Sequence, residues 1–118
     1  MTVESSILAA LTSLAGGRVY PDIAPPAVAA PYIVYQQVGG EAPTFLERAV
    51  PSRQNGRFQV NAWATTRVAA AALAVQIESA MTLATAFDCK PLGAPVALYD
   101  EETQLRGTTQ DFSVWSTR

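Results

Sequence analysis

Apolar residues recur along the chain with two different periods, and the switches between them outline its elements. Ile7, Leu8, Leu11 and Leu14 follow one another at spacings that share one face of a helix, and Ser5 or Ser6 suits its cap. Gly16-Gly17 is expected to stop that helix, because glycine accepts the left-handed backbone that closes one. From Tyr32 to Val38 the period falls to two, with Ile33 and Tyr35 on one face and Tyr32, Val34 and Gln36 on the other. Both faces are partly apolar, so one should pack on helices while something else covers the other. Gly56 to Ala64 predicts a second strand, in which Phe58, Val60 and Ala62 alternate with Arg57, Gln59, Asn61 and Trp63. A second helix is expected from a Thr65 or Thr66 cap to about Leu83, about 27 Å long, with Leu73, Ile77, Ala80 and Met81 as its core stripe. Its alanines favour the helix and permit close approach to a sheet. The remainder reads as a hairpin: Val96 to Tyr99, a turn at Asp100-Glu101-Glu102, and a last strand reaching Trp115.

The connections are less ordinary than the elements. Val19-Tyr20 is a minimal strand, and Pro21 to Pro31 holds four of the eight prolines, which remove N–H donors and fix φ; an ordered, extended connector is expected there. Gly39 to Asn55 is a linker of 17 residues between two strands that two to five residues normally join. Structureless loops beyond about 12 to 15 residues are typically functional or disordered. Phe45, Leu46, Glu47, Arg48 and Arg53 on this excursion are therefore the candidate subunit or partner interface. Burying Phe45 and Leu46 against a neighbour would contribute roughly 1.5 to 3 kcal/mol each; the alternative is that both fold back onto their own sheet. Together the elements predict an α+β fold: a two-layer, mainly antiparallel sheet with two helices on one face and a long loop between central strands. Residues 1–118 are expected to form one domain, long enough to bury roughly 65% of the surface of the unfolded chain.

Composition narrows the chemistry. The chain has no histidine and one cysteine, Cys89, which removes the commonest general base, the Ser-His-Asp and Cys-His arrangements, an intrachain disulfide and a thiolate metal cage. Gly16-Gly17 and Gly39-Gly40 lack the residues that complete a phosphate loop or dinucleotide fingerprint. The expectation is no enzyme, no cofactor and no metal. Ten acidic and eight scattered basic residues give a net charge of −2, without the clustered positive face that grips nucleic acid. No apolar run reaches the length of about 20 residues that crosses a bilayer, and no basic region precedes Ile7 to Leu14 as in a secretory signal, so a cytoplasmic product is expected.

Four features carry a functional and a structural reading. Asp100-Glu101-Glu102 could share a cation, but between two strands it is far more often a solvated turn. Trp63 and Trp115 could form an aromatic patch for a partner; packing is the commoner role. Cys89 has no histidine to activate it and reads as a small buried apolar residue. Arg48, Arg53 and Arg57 form the densest basic stretch, partly offset by Glu41 and Glu47, and suit an intersubunit ion pair or a solvated loop as well as a phosphate.

The order of these pieces resembles the small tail-completion proteins, or tail terminators, of long-tailed bacteriophages. The match is best at Gly17-Arg18-Val19-Tyr20-Pro21, Pro31-Tyr32-Ile33-Val34-Tyr35-Gln36, Phe58-Gln59-Val60-Asn61-Ala62-Trp63 and Asp111-Phe112-Ser113-Val114-Trp115. The resemblance implies a structural virion protein of α+β fold whose copies form a hexameric ring that caps the tail tube and joins it to the head-tail connector or stopper. It also implies a location in the tail or neck of the virion, in the host cytoplasm during assembly, with DNA passing through the lumen without specific binding. The alternatives are a head-completion or neck protein of the same particle, or a small α+β ligand-binding domain or enzyme.

Overall fold

The computed structural model describes residues 2–43 and 50–118. Helix α1 spans Val3–Leu11 and α2 spans Arg67–Leu83; the strands are β1 (Val19–Pro21), β2 (Tyr32–Gln37), β3 (Arg53–Ala64), β4 (Asp88–Pro91), β5 (Val96–Asp100) and β6 (Leu105–Thr117). They form one six-stranded sheet in the order β1-β2-β3-β6-β4, with β5 also paired to β6. Only β1 and β2 run parallel; every other pairing is antiparallel. Both helices lie on one face, so the expected two-layer α+β architecture is the observed one.

The spine is the pairing of β3 with β6, an unbroken register from Arg53 opposite Thr117 to Ala64 opposite Arg106. Side chains alternate across it, so Phe58, Val60, Ala62, Phe112 and Val114 point to the helices and are buried. Ile33 and Tyr35 of β2 extend the same layer, and Ile7, Leu11, Leu73, Ile77 and Met81 close it from the helical side. The opposite face carries Asn55, Arg57, Gln59, Asn61, Trp63, Thr109, Asp111, Ser113 and Trp115, with Arg57 paired to Asp111 at 2.7 Å. Tyr32 and Val34 fall on this outer face and are covered there, Val34 almost completely.

The second helix matches its expected span, and Thr66 caps it by accepting from the Ala69 N–H at 3.1 Å. Four expectations are corrected. The first helix starts earlier, at Val3, with Thr2 rather than Ser5 or Ser6 as its cap, and it ends at Leu11; a 3₁₀ turn at Ala15–Gly17 then carries the chain to β1. The second strand begins at Arg53 instead of Gly56, because β6 is long enough to pair with Arg53, Gln54 and Asn55. A strand absent from the sequence reading, β4, pairs with Phe112 to Trp115. The connector after Pro21 is not extended throughout: Asp22 and Ala27 take φ values of 63° and 60°, and turns there fold it back over the sheet.

Candidate functional site

The outer face of the sheet is walled at the end where β2 and β3 meet the β5–β6 hairpin. One wall is the proline-rich connector, anchored where the Asp22 N–H donates to the Tyr35 carbonyl at 2.8 Å. The other is the turn after β5, which Asp100 organises: its Oδ1 accepts from the Glu102 N–H at 3.1 Å and its Oδ2 from the Thr103 hydroxyl at 3.0 Å. Between them lies a cavity of about 710 Å³ whose floor includes Tyr32, Val34, Asn61 and Trp63.

Trp63 lies in this floor because of the residue opposite it. Gly107 is its partner across the β3–β6 ladder, and a Cβ at Gly107 would stand 2.6 Å from Trp63 Cε3 and 2.8 Å from the Ala62 carbonyl oxygen. The indole therefore lies across the β6 backbone. Beneath the same corner, Arg67 at the start of α2 donates to the Gly107 carbonyl at 2.7 Å and to the Leu98 carbonyl at 2.6 Å, tying β5 and β6 to the helix.

Among the described residues, the charged groups lining the groove are Asp22, Asp100 and Glu102, and no Lys or Arg lines it. Arg106 is held over the Tyr99 ring, 4.2 Å from its centroid, and Arg18 donates to the Pro31 carbonyl at 2.9 Å. Partial burial, and secondarily the Asp100 carboxylate, raise the Tyr32 hydroxyl above its ordinary pKa. Asn61 and Thr109 face each other across the ladder, and among the described residues Asn61 Oδ1 and Thr109 Oγ1 are buried without a hydrogen-bond partner. Such groups carry an uncompensated desolvation cost.

The structure distributes the residues singled out by sequence as follows. Phe45, Leu46, Glu47 and Arg48 lie outside the described residues. Arg53 is exposed at the start of β3 and pairs with Asp88 at 2.6 Å. The stem of the excursion is tied down: the Val38 N–H donates to the Arg57 carbonyl, the Arg57 N–H to the Gly39 carbonyl, and the Glu41 N–H to Asn55 Oδ1. The turn expected at Asp100-Glu101-Glu102 lies at residues 101–104, with Asp100 closing β5, and no group of three metal-ligating side chains occurs among the described residues. Cys89 is half-buried against the core, where desolvation pushes its thiol up to about 12, in keeping with the apolar role expected. Sequence reasoning did not find the groove, because the connector and the hairpin turn that wall it are far apart in the chain.

Residues 7–117 match the family model described as tail completion protein gp17. The chain belongs to that family. A comparison with curated proteins finds no match. Members of the tail completion family are structural proteins of the bacteriophage tail, so a surface groove and an open sheet face are to be read first as contact surfaces of an assembly.

Proposed function

We propose that this tail completion protein is a tail terminator: its copies close into a hexameric ring that caps the tail tube and joins it to the head connector. The observation that carries the ring is the outer face of α2. On α2, Val68, Val75 and Leu83 are 80%, 70% and 75% exposed, and the residues between them are alanine, serine, threonine or glutamine wherever they face outward. The one charged residue after Arg67 in that helix, Glu78, is drawn inward to accept from Gln110 Nε2 at 2.6 Å. A helix face this apolar and charge-free is the kind that a protein partner covers.

A ring also suits passage of DNA. With a net charge of −2 per chain, six copies carry six times −2, or −12, a balance that disfavours tight hold on the phosphate backbone. The excursion between Gly39 and Asn55 is proposed to add to the subunit or tube contact through Phe45, Leu46, Glu47, Arg48 and Arg53. The double change Phe45→Ser with Leu46→Ser tests that part. Ring formation or tail completion should be lost while the thermal midpoint of the monomer hardly moves; a large drop in monomer stability would instead place both side chains in the intrachain core. The ring itself is tested by negative-stain images of the purified protein, with and without its tail tubes. Closed rings at tube ends are expected, and tubes with bare ends beside a dispersed monomer would overturn the proposal.

A further inference from the structure

The walled groove selects its occupant by charge and shape. Asp100 is engaged in its own turn, but Asp22 on one wall and Glu102 on the other are exposed and form no ion pair among the described residues. Between them the groove is lined by the aromatic residues Trp63 and Tyr32. A planar cation with several N–H groups answers both features: it stacks on an aromatic ring and donates to carboxylates. A guanidinium does this better than an ammonium, whose charge is compact and strongly hydrated.

We propose that the groove receives an arginine side chain from a second copy of this chain. The inference rests on the ring reading and names the surfaces that would join neighbours. The chain carries a matching cation at the opposite end of the same strands. Arg53 opens β3 on the outer face that also bears Trp63, ten residues and roughly 33 Å away. Arg118 lies beside it, its N–H donating to the Ser52 carbonyl at 2.9 Å. The pair of Arg53 with Asp88 is exposed on both sides, and an exposed pair contributes only about 0 to 1 kcal/mol, so exchanging its partner costs little. An arginine end seated in the groove of the next copy is a contact between two different patches, the heterologous kind that repeats into a ring when its rotation closes.

The test has two arms, both on the full chain. In the first, N-acetyl-arginine amide is titrated while the Trp63 indole N–H is followed by NMR. A saturable shift is expected; the uncharged citrulline counterpart should give none, and Asp22→Asn with Glu102→Gln should weaken binding at least about tenfold. No shift, or an equal one from citrulline, overturns the groove as a guanidinium site. In the second, Asp22→Arg with Glu102→Arg makes one variant and Arg53→Glu with Arg118→Glu the other. All four positions are exposed, so both variants should stay folded with only a small drop in thermal midpoint, from the φ of 63° at Asp22 in one and the lost Arg53–Asp88 pair in the other. Each alone should lose concentration-dependent self-association in sedimentation, and an equal mixture should regain it, because every contact in an alternating assembly then pairs opposite charges. If both variants associate like the wild type, the ring reading stands and these surfaces are not its contacts. A wild-type chain that never associates, alone or on tail tubes, overturns both readings.

Discussion

At the residue scale, Gly107 and Cys89 show how local chemistry shapes the structure. Gly107 has an ordinary extended backbone, and its lack of a side chain serves the Trp63 ring laid across it. Gly107→Ala places a Cβ within 2.6 Å of that ring and 2.8 Å of a carbonyl oxygen, so Trp63 must move. The expected cost is about 1 to 3 kcal/mol, read from chemical denaturation, with a change in tryptophan emission as the groove floor reorganises. Cys89 makes a pH prediction. Its thiol is pushed up to about 12 in the folded chain from an ordinary value of 9.0, so between those values the folded state binds more protons than the unfolded one. Stability from this group is fully present below pH 9 and is lost as pH rises toward 12. The melting midpoint should fall over that range, and fall less steeply in Cys89→Ala; an equal slope in both would refute the assignment.

At the element scale, what could be read from the sequence followed how much each element depends on its own residues. The α2 helix carries its cap, its alanines and its core spacing within one continuous stretch, and the span expected from Thr65 or Thr66 to about Leu83 is close to the observed Arg67–Leu83 with its Thr66 cap. Thr66→Ala should therefore lower stability by about 1 kcal/mol through loss of the cap, while Ile77→Ala in its core stripe should cost about 2 to 5 kcal/mol. Equal losses at the two positions in urea denaturation would contradict the packing described. The strand core was equally legible, since Phe58, Val60 and Ala62 alternate cleanly. The misses share one cause: they are set by a distant partner. Gln54 and Asn55 look like loop and become strand because β6 runs past them, and Asp88-Cys89-Lys90-Pro91 is only four residues long, has no β-branched or aromatic residue, and is held by the same strand. The groove was illegible for the same reason, although Trp63 and the Asp100 turn, two of its parts, were singled out.

At the scale of the whole molecule, the account turns on surfaces that a lone subunit leaves uncovered. Helix α2 presents an outer face with exposed Val68, Val75 and Leu83, and the sheet presents an acidic groove at one end and arginines at the other. Val75→Lys with Leu83→Lys alters only exposed side chains, so monomer stability should change by no more than about 0.5 kcal/mol per site, whereas assembly should fail. The most direct measurement is a reconstruction of the intact particle at a resolution that places this chain. The account predicts a closed hexameric ring of it at the head-proximal end of the tail tube, with α2 covered by neighbouring protein. A single copy, or a position away from that junction, would contradict it.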